Sequence, residues 1–474
     1  MTDAATARGP ESRGPESRGP EAHTIYQIPL DQRHGRPRDL FTVWFGSNIM
    51  MLTIITGALA TTVFGLPFWP ALLSAVLGNM IGGLFMALHA AQGPQLGVPQ
   101  MVQTRGQFGS MGAMAVICLV VVMYVGFFAS NLVLGGESLH TVVTFLPEKA
   151  CVVLLGLVSL VATIYGHDLI HAYTRLMTVV SGIALALCFV WILCVNGVSS
   201  ATLSHGTFTM SGFLGGLSTA ALWQIAYAPY VSDYSRYLPP GTGSRQAFMA
   251  SYWGCVLGSV FPMILGGLLG VIAGGGDVVA TLTTQVGPLA LFIVPVLSLG
   301  IASTNAMNLY CGALSAITVV QTIIPSWKAT HVGRAGTAIV LASLSLLIAL
   351  GAEANFMEEY TNFILLLLYV MVPWTAINLA DFYLIRHGEY DVPSFFRADG
   401  GIYGRYCWPA LIAYVFGILI QIPFVSNGLY TGPVANMLGG ADISWIVGLI
   451  VVTVFYVWMM RNERHAQPVM SGAD

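Results

Sequence analysis

The sequence is poor in charge. Only 8% of its 474 residues are Asp, Glu, Lys or Arg, and 56% are hydrophobic. Soluble domains carry about 25% charged residues. A chain with so few charges cannot keep most of its surface in water, so the composition excludes a soluble globular protein and indicates an integral membrane protein. The formal net charge of -3 gives no sign of a nucleic-acid partner.

Patterns typical of enzymes, metal sites and disulfide frameworks are missing too. The seven cysteines are odd in number and lie mostly in apolar segments, without the spacing of a zinc site. No hydrophobic segment carries a paired base and nucleophile, so neither an enzyme nor a cofactor is expected. The cluster His167, Asp168 and His171 is interpreted as part of a solvated connection and not as a metal site.

Hydrophobic runs near or above the roughly 20 residues that cross a bilayer recur along the chain. Twelve such spans are predicted: 40–64, 67–92, 110–136, 149–166, 174–196, 211–237, 247–274, 287–312, 334–351, 359–385, 408–426 and 440–461. The polar residues 1–39, which include the repeat "RGPESRGPESRGPE", and residues 462–474 are predicted to be tails. The N-terminal tail has no apolar face to bury and is expected to be disordered.

The distribution of positive charge orients these spans. With the N-terminus in the cytoplasm, every one of the 18 Lys and Arg residues except Lys149 falls on the cytoplasmic side. Positive charge is enriched in cytoplasmic loops. An error in the number of spans would distribute these Lys and Arg residues over both sides of the membrane. The sequence therefore predicts a multi-pass protein of the cell membrane with both termini cytoplasmic.

Spans one and six contain helix-breaking sequences. Span one includes Gly46, Ser47 and Asn48, which are poor helix formers, and span six includes Pro229. A polar and aromatic group surrounds that proline: Trp223, Gln224 and Tyr227. Paired discontinuous helices are typical of transporters with inverted repeats. We therefore predict an all-α protein with inverted five-helix repeats at 40–196 and 211–385, followed by two extra helices at 408–461.

Polar residues inside spans three and eight suggest a binding site. Phe127 and Asn131 are four apart and share one helix face. Span eight carries a compact polar cluster: Ser303, Thr304, Asn305 and Asn308. Hydroxyls together with freed carbonyls suit a small cation, and amides near an aromatic ring suit a flat, neutral heterocycle. Glu137, near the outer end of span three, is either an interfacial residue or a proton carrier.

Four segments resemble one transporter family. They are "GPQLGVPQMVQTRGQFG" (93–109), "YAPYVSDYSRYLP" (227–239), "NLYCGALS" (308–315) and "PWTAINLADFYLIRHGEYDVP" (373–393). Over about residues 40–430 the chain resembles the bacterial branch of nucleobase–cation symporter family 1, closest to its purine–cytosine permeases. The resemblance implies inverted repeats with spans one and six unwound around a central site. It also implies uptake of a nucleobase or related heterocycle, driven by Na⁺ or H⁺.

The resemblance also implies site residues. The substrate would contact Ser47, Asn48, Phe127, Asn131, Trp223, Gln224, Tyr227, Asn305 and Asn308. A sodium ion would lie near Gly46, Gly300, Ser303 and Thr304. The family often has Trp where this chain has Tyr227, so allantoin, hydantoins, thiamine and pyridoxine-like heterocycles stay open as substrates. A channel and a substrate receptor stay open as other classes of function, and the oligomeric state is not predicted.

Overall fold

The structure is a computed structural model that describes residues 24–351 and 356–464, and its regular elements are all helical. Tail residues 1–23 and 465–474 lie outside this description. Nine of the described helices are long and apolar enough to cross a membrane, or ten if one bent pair counts as a single span. Two shorter apolar segments, around 210–235 and 408–424, occupy the remaining predicted positions.

We number the spans in chain order. They are span 1 (half 1a, Pro37–Asn48, and half 1b, Met51–Thr62), span 2 (Phe68–Ala90), span 3 (Ala113–His140), span 4 (Glu148–Tyr165), span 5 (His167–Val190), span 6 (half 6a, Met210–Ile225, and half 6b, Ala228–Ser235), span 7 (Ser244–Ala273), span 8 (Ala290–Ile323), span 9 (His331–Gly351), span 10 (Phe356–Ala380), span 11 (Trp408–Gln421) and span 12 (Ser444–Arg464). Spans 5 and 10 each continue into a wider π turn, Trp191–Asn196 and Asp381–Ile385. Short helices in the connections include Gln92–Leu96, Gln100–Phe108, Ser200–Leu203, Val278–Val286 and Pro433–Met437.

Some predicted boundaries were wrong. Span 8 was predicted to end at residue 312 but continues to Ile323, because its apolar sequence does not stop there. Span 5 was predicted to begin at residue 174 but begins at His167. His171 therefore lies on a helix and not in the solvated connection that the sequence suggested. Within the described residues no group of three His, Cys, Asp or Glu side chains could hold a metal.

Both predicted helix breaks are present. The two halves of span 1 meet at an angle of 62°, with Ile49 and Met50 outside the helices. Span 6 is interrupted at Ala226 and Tyr227, and Pro229 lies in the first turn of half 6b. Proline is favoured at that position because the first turn of a helix does not need its backbone N–H. Each break frees backbone groups in the interior of the molecule, where they must find other partners.

The spans pack in two groups. Span 1 packs on span 7, and span 2 packs on spans 6 and 7. Spans 3, 4, 8 and 9 form a second group in which span 8 contacts all the others. Each helix of the first repeat corresponds to the helix five spans later in the chain. Span 1 thus corresponds to span 6, span 2 to span 7, span 3 to span 8 and span 4 to span 9. Each group is therefore assembled from equivalent helices of the two halves of the chain.

Residues 24–36, which we call the strap, are packed along the end of the helix bundle that holds the connections following spans 2, 6 and 8. Three strap residues are buried against the rest of the protein: Ile25, Ile28 and Arg33. Arg33 donates to the backbone carbonyl of Pro94 at 2.7 Å. The predicted disorder of residues 1–39 was thus wrong for residues 24–39, because two isoleucines and a buried arginine give this short segment contacts that offset the loss of chain entropy.

Arg105 fastens the connection between spans 2 and 3 to its surroundings. The side chain is only 3% exposed and donates to the backbone carbonyls of Thr318 and Phe395 at 2.7 and 2.8 Å. Burial lowers the pKa of Arg105 to about 10. The guanidinium therefore keeps its charge at neutral pH and holds this connection against the C-terminal end of span 8.

Candidate substrate and cation site

A small cavity lies at the level of the two helix breaks, between spans 1, 3, 6 and 8. Its lining residues are Met50, Phe127, Asn131, Trp223, Ala226, Tyr227, Tyr230, Thr304 and Asn308. None of these lining residues is ionisable near neutral pH, so the cavity favours an uncharged ligand.

Aromatic rings form one side of the cavity. Phe127 and Trp223 meet edge to face, with ring centroids 6.2 Å apart and an angle of 87°. The Trp223 and Tyr227 rings are 5.9 Å apart, and the Tyr227 and Tyr230 rings are 5.5 Å apart. Because the neighbouring rings are steeply inclined, they present both faces and edges to the cavity. Such a surface packs well against a flat heterocycle.

The break in span 6 places two of these aromatic rings at the cavity. Tyr227 lies where the helix is interrupted, and Trp223 lies one turn before it. The Trp223 indole N–H donates to the Asn48 Oδ1 at 2.8 Å, and Ser259 donates to the same oxygen at 2.9 Å. Asn48 therefore fixes the orientation of the Trp223 ring from span 1a.

Amide side chains also line the cavity, and they are bonded to one another and to a ring hydroxyl. The Asn131 Nδ2 donates to the Asn305 Oδ1 at 2.9 Å, and the Asn308 Nδ2 donates to the same oxygen at 3.1 Å. The Tyr230 hydroxyl donates to the Asn308 Oδ1 at 2.6 Å. The Asn131 Oδ1 is buried and has no hydrogen-bond partner among the described residues. Since buried acceptors are rarely left unpaired, this oxygen is available to a ligand.

Oxygen atoms gather where span 8 passes the break in span 1. The Thr304 hydroxyl donates to the Ser47 carbonyl at 2.5 Å. Gly300 lies so close to the Ile49 carbonyl that an added Cβ would be 2.8 Å from that oxygen. The Ser303 hydroxyl is buried and finds no partner in the described part of the chain. Carbonyl and hydroxyl oxygens are the ligands that hard cations prefer, so this group fits Na⁺.

The structure separates the predicted substrate residues into two layers. Phe127, Asn131, Trp223, Tyr227 and Asn308 line the cavity, as does Thr304, which was predicted for the cation. A second layer lies behind them and contacts the lining residues or the breaks: Ser47, Asn48 and Asn305. Asn305 and Asn48 affect the cavity indirectly, because their hydrogen bonds fix the orientation of lining side chains.

One predicted contact needs correction. Gln224 was predicted to read the ligand edge, but its amide nitrogen Nε2 donates to the Asn79 Oδ1 at 2.7 Å and to the Ser259 Oγ at 3.1 Å, and Gln224 is not among the lining residues. The error concerns the rotation of span 6 about its axis, which the break alone does not determine. Gly46 is buried where span 1 meets Thr174 and Thr178 of span 5, and its place at the cation stays a prediction.

Three lining residues were missed by the sequence analysis. Tyr230 follows Tyr227 by three positions, so helical spacing could have placed both on one face. Met50 belongs to the non-helical segment of span 1 and Ala226 to that of span 6. Side chains at a break leave the helical pattern, so periodicity gives no signal for them.

Comparison with known proteins identifies the class. Residues 27–448 match the family described as permease for cytosine/purines, uracil, thiamine, allantoin. A Bacillus subtilis protein that bears the provisional name purine-cytosine permease YxlA is 38% identical over 92% of this chain and 95% of its own length. The purine-cytosine permease fcyB of Emericella nidulans is 24% identical over 89% of this chain and 84% of its own length.

A solved structure shares the fold. The structure of Mhp1, a nucleobase-cation-symport-1 family transporter, in a closed conformation with bromovinylhydantoin bound, is 20% identical and has a TM-score of 0.79. The match covers 95% of this chain and 97% of that one. The predicted architecture of two inverted five-helix repeats with broken spans 1 and 6 is confirmed. The protein is a multi-pass membrane transporter, and it belongs to the permease family for cytosine and purines, uracil, thiamine and allantoin.

Proposed function

We propose that this transporter imports a nucleobase, cytosine or a purine, by symport with a cation and by alternating access. The observation that carries the proposal is the uncharged cavity between the two helix breaks, which is lined by both aromatic rings and amides. A nucleobase is flat, neutral and rimmed by donors and acceptors. Rings of spans 3 and 6 would pack on its faces, while Asn131 and Asn308 would bond to its edge.

The coupling ion would bind where span 8 meets the break in span 1. The Ser47 and Ile49 carbonyls and the Ser303 and Thr304 hydroxyls are the groups proposed to hold it, and they favour Na⁺ over H⁺. An ion in this place would join spans 1 and 8, which belong to different packing groups. Ion binding would therefore stabilise one arrangement of the groups more than the other, as coupling requires.

Transport would proceed by movement of spans 1, 2, 6 and 7 against spans 3, 4, 8 and 9. We place the protein in the cell membrane with both termini in the cytoplasm, because that orientation puts nearly all of the Lys and Arg residues on the cytoplasmic side. The substrate would enter from outside and leave into the cytoplasm. No cofactor is needed for this cycle beyond the driving ion.

The test is uptake of labelled cytosine into proteoliposomes under an imposed sodium or proton gradient. Concentrative uptake under one gradient is the expected result, and it names the ion. Unlabelled purines, uracil, allantoin and thiamine, added as competitors, define the range of substrates. A channel would equilibrate cytosine without concentrating it, and a receptor would bind it without uptake.

Two alanine variants make this test specific. Asn131→Ala removes an amide of the cavity and is expected to abolish concentrative uptake, whereas Asn436→Ala changes an exposed asparagine and is expected to preserve it. The proposal of nucleobase import fails if the wild-type protein, shown to be folded by its melting curve, takes up no cytosine under either gradient.

A further inference from the structure

One backbone carbonyl determines the direction of the amides in the cavity. The Asn305 Nδ2 donates to the Phe128 carbonyl at 3.2 Å. A carbonyl can only accept, so Asn305 must turn its nitrogen toward span 3 and its oxygen toward the neighbouring amides. Asn131 and Asn308 must then both present Nδ2 to that oxygen, and they do so at 2.9 and 3.1 Å.

The remaining two amide oxygens have different environments. The Asn308 Oδ1 accepts from the Tyr230 hydroxyl. The Asn131 Oδ1 accepts a hydrogen bond from none of the described residues, and Asn131 is only 1% exposed. A buried acceptor without a partner destabilises the empty site. A ligand that brings a donor to Asn131 recovers this free energy, whereas a ligand that brings an acceptor there adds repulsion.

We infer that the site prefers a heterocycle that presents an amino group, rather than an oxo group, to Asn131, and that Asn305 is the positioning residue that sets this preference. The inference rests on the proposed function. The Asn131 amide cannot rotate to suit an oxo group, because rotation would place its oxygen against the Asn305 oxygen. Specificity thus comes from a residue that lies behind the cavity surface.

Two pairs of nearly isosteric bases test the inference: cytosine with uracil, and adenine with hypoxanthine. Each pair differs by an amino group in place of an oxo group, together with the ring proton that follows it. As competitors of labelled cytosine, the amino members are expected to bind at least about tenfold more tightly to the wild-type protein. In Asn305→Ala the Asn131 amide is free to rotate. The ratio of affinities for the amino and the oxo base of each pair is therefore expected to fall below about threefold.

Tyr230→Phe is the matched control. It leaves the Asn305–Asn131 bond in place and frees the Asn308 Oδ1, which is a second acceptor in the cavity, so the amino-to-oxo ratio should not fall. The inference is overturned if uracil competes as well as cytosine in the wild type, or if Asn305→Ala still binds cytosine with the wild-type ratio. If none of the four bases competes or binds, the proposed function itself is contradicted.

The strap carries a second and independent inference. Several of its bonds go to the connections that follow spans 2 and 6. The Ile28 N–H donates to the Gly97 carbonyl at 3.0 Å, and the Gly35 N–H donates to the Tyr237 carbonyl at 3.0 Å. These bonds attach the strap to the group that contains spans 1, 2, 6 and 7.

The first residues of the strap reach the other group. The Thr24 hydroxyl donates to the Ala329 carbonyl at 3.3 Å. The Tyr26 hydroxyl accepts from the Ala329 N–H at 3.3 Å and from the Gln321 Nε2 at 3.4 Å. The Tyr26 ring lies 5.5 Å from the ring of Phe396. Gln321 is on span 8, and Ala329 lies in the connection from span 8 to span 9.

We propose that the strap is a clasp that holds the cytoplasmic side of the transporter closed. It crosses between the two packing groups, so these groups cannot separate on the cytoplasmic side without breaking the bonds of Thr24 and Tyr26. Loss of one such hydrogen bond changes the population of the closed state by up to about tenfold. Release of the strap is therefore a step of cytoplasmic opening.

A thiol reporter tests the clasp without any substrate, so its outcome is separate from that of the proposed function. Ser235, at the end of half 6b, is fully buried. In Ser235→Cys, with Cys118, Cys194 and Cys407 replaced by serine, labelling by a membrane-impermeant maleimide from the cytoplasmic side reports opening. Tyr26→Ala is expected to speed labelling about tenfold, and Tyr26→Phe, which loses only the hydroxyl, about threefold.

His34→Ala is the control within the strap, because His34 is exposed, its Nδ1 bonds to the Gln32 carbonyl within the strap, and its ring meets Tyr237, which belongs to the group of spans 1, 2, 6 and 7. Its labelling rate should match that of the parent protein. The clasp is refuted if Tyr26→Ala and Tyr26→Phe both label at the parent rate while their melting curves show folded protein. The mild Tyr26→Phe variant keeps the test valid if Tyr26→Ala does not fold.

Discussion

The breaks in spans 1 and 6 occupy equivalent positions but provide different chemistry. The break in span 1 offers backbone oxygens, and the Ser47 carbonyl accepts from Thr304. The break in span 6 offers aromatic side chains, and the Tyr230 hydroxyl donates to Asn308. Thr304 and Asn308 are four apart, so one face of span 8 is bonded to both breaks.

This difference follows from the local sequences. In span 1, Gly46 and Ser47 are small, so the chain comes close to its neighbours and its carbonyls are accessible. In span 6, Trp223, Tyr227 and Tyr230 fill the space beside the break with rings. Repeated architecture therefore does not impose repeated chemistry, and under the proposed function the cation and the heterocycle bind one helical turn apart on span 8.

The largest expected effect is on the span 6 side. Trp223→Ala removes a ring from the cavity wall, and stacking of a base on an aromatic side chain contributes about 1–3 kcal/mol. The kcat/KM for cytosine should fall roughly tenfold to a hundredfold, while the sodium concentration for half-maximal uptake stays unchanged. Uptake measured over a grid of cytosine and sodium concentrations separates the two constants.

Trp458→Ala is the matched control for that variant, because Trp458 is 59% exposed on span 12. It should transport like the wild type. An equal loss in both tryptophan variants, or a change in sodium dependence in Trp223→Ala, would contradict the assignment of the span 6 break to the heterocycle.

An intermediate effect is expected on the span 1 side. Thr304→Val keeps the shape of the side chain but removes the hydroxyl that faces the break. The sodium concentration for half-maximal uptake should rise about fivefold, since a net hydrogen bond or ligand oxygen contributes about 1 kcal/mol. The KM for cytosine at saturating sodium should change much less, and Thr304→Ser should restore the wild-type sodium dependence.

Thr318→Val serves as its control on the same helix. The Thr318 hydroxyl donates to the Leu314 carbonyl within span 8 and lies far from the break. If Thr318→Val raised the sodium requirement as much as Thr304→Val, the effect would belong to span 8 in general and not to an ion at the break.

The smallest effect is expected for Tyr230→Phe. The ring stays, and only the bond to Asn308 is lost, so the KM for cytosine should rise about threefold. Tyr406→Phe, which changes an exposed tyrosine, should have no effect. A change of sodium dependence in Tyr230→Phe would show that the two breaks are less separate than their contacts suggest.

Much of the fold could be predicted because a membrane restricts what a sequence can form. Long apolar runs locate the spans, and Gly46, Ser47 and Pro229 locate the breaks to within a few residues. The cavity was predicted less completely. Gln224 is next to Trp223 in sequence but faces spans 2 and 7, because neighbours on a helix point about 100° apart. Only the packing of span 6 decides which of the two reaches the cavity.

The strap was missed for a different reason. Its two buried isoleucines lie in the short segment "TIYQIPL", shortly after the charged repeat, and a segment of this length shows no clear period. Ile25 and Ile28 were the available signal, but they gain burial only because the folded spans provide a surface for them. Contacts of this kind depend on tertiary structure and cannot be found from local pattern alone.

The arrangement of equivalent helices in two groups has a consequence for how the protein is made. Spans 1 and 2 pack mainly on spans 6 and 7, and spans 3 and 4 on spans 8 and 9. The first half of the chain therefore emerges from the ribosome without the surfaces that it will contact. Its helices can enter the bilayer one by one, but neither group can be completed until translation has reached the second half. A half-length fragment should insert and yet remain unassembled, exposed to the proteases that remove orphaned membrane helices.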